Sequence, residues 1–303
     1  MRVYVIGSEG QVARSLREAA RSVDNITIEC SSRACLDVLR PHSVAKALAA
    51  FSPDIVINPA AYTGVDRAES EPELAFSINR DGAAHVATAT KRLSIPLIHL
   101  STDYVFDGKK DGFYVESDPV APNSVYGRSK LEGEIAVSSA NERSVILRTS
   151  WVYAPFGANF VRTMLRLASE RDHLRVVNDQ IGCPTYAPDI AQAILSIAKT
   201  IRSAGWQSRF AGVTHLAGPE DVTWYTFAQN IMRLLMARGH PTAEVEAVST
   251  AEYRTAAVRP ANSRLDCARL FSMFNLRLPA LSHSLEPCLD RLLDGSDNTW
   301  SRP

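Results

Sequence analysis

Val3-Tyr4-Val5-Ile6-Gly7-Ser8-Glu9-Gly10-Gln11-Val12-Ala13 decides how the rest of the chain is read. A β-prone run meets a glycine, and a stretch with helical spacing follows from about Gln11 to Arg21. Gly7 permits a tight turn, Gly10 lets the backbone approach a pyrophosphate, and Ala13 allows close packing of helix on strand. The helix start then offers free N–H groups and a positive dipole end to an anion. A turn that binds nothing is the alternative, because short glycine spacings recur by chance. The position at the first strand-to-helix junction favours a dinucleotide, with Gly7, Gly10, Gln11 and Val12 around its phosphates.

Outward from this loop, strands and helices alternate. Further strands are expected at Ile26–Cys30, Ile55–Asn58, Pro96–Leu100 and Val145–Arg148, with helices at Val44–Phe51, Glu73–Arg92 and Leu131–Ala140. The strands are nearly continuous apolar runs, as in a parallel sheet covered on both faces. This is an α/β pattern: a Rossmann-type doubly wound sheet with a smaller α/β lobe. Beyond Trp151 the pattern loosens. Helices are expected at Phe160–Glu170, Asp189–Arg202 and Trp224–Arg238, a strand at Val213–Leu216, and a loop at Asn178–Pro188. Residues 1–151 read as the nucleotide-binding domain, rejoined by about 189–238. Residues 152–188 and 239–303 read as the substrate lobe.

Composition narrows the function classes. The 303 residues are 46% hydrophobic and 22% charged, typical of a globular protein. Lys plus Arg and Asp plus Glu each number 33, so the chain lacks the basic footprint of a nucleic-acid binder. No run approaches the ~20 apolar residues of a membrane span, and the first residues do not resemble a signal peptide. Cys30, Cys35, Cys183, Cys267 and Cys288 lack metal-site spacing and fit reduced thiols in a cytoplasmic protein.

The chemistry gathers after the fourth strand. Ser101-Thr102-Asp103-Tyr104 follows it directly, at the sheet edge where ligands bind. Then comes Tyr126-Gly127-Arg128-Ser129-Lys130, whose Tyr and Lys share one helix face at i, i+4. A neighbouring ammonium favours the phenolate, so Lys130 is expected to lower the Tyr126 pKa towards working pH. Thr102 can hold a substrate oxygen. The set can protonate an alkoxide formed when hydride reaches a carbonyl carbon. An exposed helix pair is the bland alternative. At the second strand's end, Ser31, Ser32 and Arg33 lean towards the 2′-phosphate of NADPH, while Glu29 favours the 2′-hydroxyl of NADH.

These motifs resemble the extended short-chain dehydrogenase/reductase family and, within it, the dTDP-4-dehydrorhamnose reductases. The resemblance runs through Gly7–Val12, Asn58–Thr63, Val65–Glu69, Ser101–Phe106, Tyr126–Lys130 and Arg148–Tyr153. It continues in Asn178–Gln180, Gly182–Thr185, Arg259-Pro260 and Asn262–Leu265. It implies hydride transfer from NADPH, or NADH, to the C4 ketone of dTDP-4-dehydro-β-L-rhamnose, a dTDP-sugar. Tyr126 would donate the proton, Lys130 would bind the nicotinamide ribose, and Thr102 would assist. Ala61, Tyr62 and Thr63 would line the cofactor, Asp37 and Val38 the adenine. Asp103, Tyr104 and Trp151 would contact the sugar nucleotide.

The chain departs from the family pattern at three places. Ala13 closes the phosphate loop, which is sterically tolerable. Val258 stands where a second arginine is usual. Ser15 stands where some dimeric members carry a glutamate for a bridging Mg²⁺, and a hydroxyl serves a hard cation poorly. No metal site is therefore expected, and both monomer and homodimer stay open. Arg259 and Arg264 read equally as diphosphate clamps or structural ion pairs. His99 reads as a core histidine, and Asp66 and Glu69 as braces of a helix. Trp206, Trp224 and Trp300 carry no functional signal. The rivals are another sugar-nucleotide reductase, a 4-epimerase or 4,6-dehydratase of the same fold, and a non-catalytic NADP-binding regulatory subunit. Tyr104, where a dehydratase needs an acidic residue, argues against the dehydratase.

Overall fold

In the computed structural model, which describes residues 1–295, the first half of the chain is β1 (Arg2–Ile6), α1 (Gln11–Arg21), β2 (Thr27–Ser31), α2 (Pro41–Phe51) and β3 (Ile55–Asn58). Then come α3 (Val65–Ser70), α4 (Pro72–Phe76), a π-helical turn (Ser77–Gly82), α5 (Ala83–Arg92), β4 (Leu97–Thr102), α6 (Val125–Ala140) and β5 (Ser144–Thr149). The remainder holds β6 (Val152–Tyr153), α7 (Phe160–Glu170), β7 (His173–Val177), β8 (Ile181–Gly182), β9 (Thr185–Tyr186), α8 (Ala187–Ala204) and β10 (Gly212–His215). It closes with β11 (Val222–Thr223), α9 (Trp224–Ala237), β12 (Glu244–Val248), β13 (Asn262–Ser263), α10 (Ala268–Phe274) and α11 (Leu281–Leu293). Trp300 lies outside the described residues.

Six strands form one sheet in the order β10-β5-β4-β3-β1-β2, every pair parallel. Strand alternation divides the apolar residues between two cores. Val3, Val5, Ile55, Ile57, Ile98 and Leu100 face α1 and α8. Tyr4, Ile6, Val56, Leu97 and Ile146 face the layer of α2, α5 and α6. Both faces are dry, which is why the strands read as apolar runs rather than alternating ones. The chain leaves β1 towards β2 and then crosses back to β3. The order reverses there, and a crevice opens at the carboxyl ends of the strands.

The lobe has its own core, with Val161, Met164, Leu174, Val176, Phe227, Ile231, Leu285 and Leu289 contributed by α7, β7, α9 and α11. Its β7 pairs in parallel with β12, while β8 lies between β11 and β13. The expected return of residues 189–238 to the nucleotide-binding core differs in its second part. Helix α8 and Leu216 pack under the large sheet, but Phe227, Ile231 and Leu235 of α9 pack in the lobe. Leu270 and Phe274 of α10, expected in the lobe, pack under the sheet. An amphipathic helix announces a buried face without saying which core receives it.

Two elements shift in ways that matter for the site. The helix expected from Leu131 begins six residues earlier, at Val125. Ser124 caps it by accepting from the Gly127 N–H, and Glu69 accepts from the Val125 N–H at 2.8 Å. Glu69 thus braces α6 rather than its own helix. The single helix expected at Glu73–Arg92 is interrupted by the π-helical turn, which carries the buried Asn79. No described helix is long and apolar enough to cross a membrane.

Candidate active site

A cleft of about 730 Å³ lies at the carboxyl ends of β1, β3, β4 and β5, within the usual size range for a small-molecule site. At one end is the loop after β1. Gly7 has φ +105°, a conformation that only glycine adopts freely, and Gly10 caps α1 with no side-chain hydrogen bond. The first N–H groups of α1 therefore keep their capacity for an anion, as a dinucleotide requires. Gly7, Gly10, Gln11 and Val12 line the cleft, together with Arg33, Asp37, Val38, Ala61 and Thr63. Glu29 is exposed and does not line it, so only the cationic competitor faces this end. Among the described residues Arg33 forms no ion pair.

Three expected contacts, Ser31, Ser32 and Tyr62, do not line the cleft. Ser31 is buried and its hydroxyl donates to the Tyr4 hydroxyl at 2.7 Å, because the last residue of a covered strand turns inward. Tyr62 packs on α3 and α4 and its hydroxyl donates to Glu71 at 2.6 Å. Its backbone, however, positions Ala61 and Thr63. Asn79 accepts from the Tyr62 N–H and donates to both the Tyr62 carbonyl and Ser129. Sequence reading passed over Asn79 because a polar residue inside a helical run looks solvated.

At the other end stand Thr102, Asp103, Tyr104, Tyr126, Lys130 and Trp151. Thr102 caps the turn after β4, accepting from the Tyr104 N–H and donating to Asp103. Tyr104 meets the Tyr126 ring edge-on at 5.5 Å. Lys130 is buried and donates to the Leu100 carbonyl at 2.7 Å. Behind it, Glu134 on the same face of α6 accepts from Ser101 and pairs with Arg148 of β5 at 2.7 Å. This buried pair ties α6 to β4 and β5.

The electrostatics correct one expectation. Burial pushes Tyr126 up to about 12; an interaction with Thr102 opposes this and the Asp103 charge adds to it. Lys130 was expected to lower the Tyr126 pKa. Burial instead lowers Lys130 itself to about 8, against the pull of Glu134, and the ammonium is directed to a backbone carbonyl. Desolvation is the largest influence on both groups. Asp103 is raised to about 6 by burial, and its Oδ2 has no partner among the described residues. His99 lies under this end, 3.1 Å from Asn58 through Nδ1, with burial holding its pKa well below the usual imidazole value.

Both arginines form ion pairs. Arg259 binds Asp66 at 2.7 Å, and Arg264 binds Asp221 at 3.3 Å and Asn262. Neither lines the cleft. Val258 is exposed. Ser15 is buried, its hydroxyl donating to the Gln11 carbonyl. Trp151, two residues beyond β5, adopts φ +46° and stacks on Trp224, whose contribution carried no sequence signal.

A doubly wound sheet with a phosphate loop, a Tyr-x-x-x-Lys helix and a strand-end threonine defines a nucleotide-dependent reductase class. The profile of the RmlD substrate binding domain family matches residues 1–293, and the chain belongs to that family. It is 46% identical over 298 residues to a dTDP-4-dehydrorhamnose reductase of Sinorhizobium fredii, covering 98% of this chain and all of the relative. The dTDP-4-dehydrorhamnose reductase of Escherichia coli K12 is 40% identical, with 96% and 98% covered. Among solved structures, a dTDP-4-dehydrorhamnose reductase from Clostridium acetobutylicum superimposes with a TM-score of 0.88 at 32% identity, over 97% of this chain and all of the other. That of Bacillus anthracis, solved in complex with NADP, gives 0.86 at 34%, over 96% and 99%.

Proposed function

We propose that the chain reduces the C4 ketone of dTDP-4-dehydro-β-L-rhamnose to dTDP-L-rhamnose with NADPH. The observation that carries this reading is the convergence of Thr102, Tyr126 and Lys130 on one cleft with the phosphate loop, in a chain 46% identical to a reductase of that name. NADPH fits because the loop of Gly7–Val12 can take the diphosphate and the exposed Arg33 can take a 2′-phosphate.

Bound NADPH supplies the hydride. The protein then provides position and a proton. Tyr126, held above its ordinary pKa, is fully protonated at neutral pH and therefore acts as the acid in the reducing direction. Its proton passes to the C4 oxygen as hydride reaches the C4 carbon, and the O–H bonding pair stays on Tyr126 as a phenolate. Thr102 orients the same oxygen, and the Lys130 ammonium holds the nicotinamide ribose and stabilises the phenolate that remains. Asp103, Tyr104 and Trp151 hold the sugar. The reading is tested by supplying the purified chain with NADPH and the 4-keto sugar nucleotide. Consumption of NADPH matched by dTDP-L-rhamnose is expected. Tight cofactor binding without consumption would support the regulatory reading instead, and conversion without net NADPH oxidation would support the epimerase.

A further inference from the structure

Trp151 is held in an unusual way. Its backbone sits at φ +46°, in the left-handed region that non-glycine residues rarely adopt. One face of its indole rests on Gly182 of β8, where even a Cβ would overlap the ring at Cε2, Nε1 and Cζ2. The other face is stacked on Trp224, ring centroids 3.4 Å apart and planes within 5°. Aromatic pairs left to themselves prefer offset or edge-to-face arrangements, so full overlap is imposed by the surroundings. Those surroundings are visible. Phe160 of α7 packs on Trp224 at 4.6 Å. Trp224 is the first residue of α9, whose cap Thr223 accepts from the Thr226 N–H and donates to Asn178 at 2.8 Å. Trp151 lines the cleft, whereas Trp224 and Gly182 do not.

We infer that Trp224 is a positioning residue for the substrate: through its stack it fixes the Trp151 indole against Gly182 and so sets the wall of the sugar pocket. Both faces of Trp151 are occupied, so only its edge is offered to a ligand. A sugar nucleotide meets a rigid rim of fixed shape rather than a free stacking platform. The lobe core, through α7 and α9, is thereby coupled to the cleft by one aromatic contact. This inference rests on the reading of Trp151 as a sugar contact.

The test compares Trp224→Leu, Trp224→Phe, Trp151→Ala and the double variant Trp151→Ala/Trp224→Leu. Far-ultraviolet circular dichroism reads the exciton couplet of the stacked indoles, and steady-state kinetics read KM and kcat. Trp224→Leu is expected to lose the couplet and raise the KM for the 4-keto sugar nucleotide about tenfold, with kcat within about twofold and the NADPH Kd unchanged. Trp224→Phe, which keeps an aromatic face, should recover most of the KM. In the Trp151→Ala background, Trp224→Leu should raise KM no further. A lost couplet with unchanged KM overturns the inference, as does an independent, additive effect in the double variant. If Trp151→Ala leaves KM unchanged, the sugar-contact reading fails and this role fails with it. A wild-type chain that consumes no NADPH would defeat the proposed reaction itself, a result distinct from either.

Discussion

At the inner end of the cleft Thr102, Asp103 and Lys130 are buried, and each is tied to backbone or to a neighbouring side chain. At the outer end Arg33 is exposed and makes no ion pair among the described residues, and the carboxylate of the neighbouring Asp37 meets only the Leu39 N–H and, loosely, Arg40. The inner end is shaped before any ligand arrives. The outer end keeps an uncommitted charge that a ligand phosphate can claim. Chemistry that depends on sub-ångström placement sits on the first kind of ground, and affinity for a phosphate needs only the second.

The difference can be broken at its strongest point first. Tyr126→Phe removes the proposed proton donor and should lower kcat by about 10³-fold while the NADPH Kd changes little. Wild-type-like turnover would remove Tyr126 from the account. Next in size is the frame behind it. Glu134→Gln leaves Arg148 charged and without its partner in a dry site, which should cost about 3 kcal/mol in urea unfolding. A loss no larger than that of an exposed pair would show that the inner end does not depend on this tie.

Asp103 sharpens the comparison through pH. Its folded pKa is raised, from 3.8 to about 6. Between these values the folded state holds a proton that the unfolded state has released, so stability falls as pH rises through this window. Above pH 6 the whole penalty is present. Asp103→Asn should therefore raise the Tm at pH 8 by an amount corresponding to about 3 kcal/mol, with the gain vanishing near pH 4. A gain independent of pH would rule out the buried carboxylate as its source. The smallest effect belongs to the outer end. Arg33→Ala should raise the KM for NADPH about tenfold and leave that for NADH unchanged, while Ser31→Ala, whose hydroxyl is turned to Tyr4, should alter neither. Equal losses for both cofactors would place Arg33 elsewhere than at the 2′-phosphate.

How much was legible follows the same division. The phosphate loop, the sheet strands and the Tyr126–Lys130 pair are local patterns: apolar runs, small residues at turns and one helix face. They are read from neighbours in sequence. The sides of α9 and α10 were not legible, because the choice between two cores is made by contacts far along the chain. The Tyr126 pKa was misjudged for a related reason. An ammonium four residues away is visible in the sequence, but the burial that raises Tyr126 comes from strands and loops folded around the site. The Trp151–Trp224 stack joins residues from β5's end and from α9, and no spacing announces it.

The central claim is that hydride passes from NADPH to the C4 carbon of the sugar while Tyr126 supplies the proton. It is tested most directly with NADPH deuterated at C4 of the nicotinamide, followed by mass and NMR analysis of the product. The account predicts dTDP-L-rhamnose carrying deuterium at C4 of the sugar. Unlabelled product, or deuterium at another carbon, would contradict it.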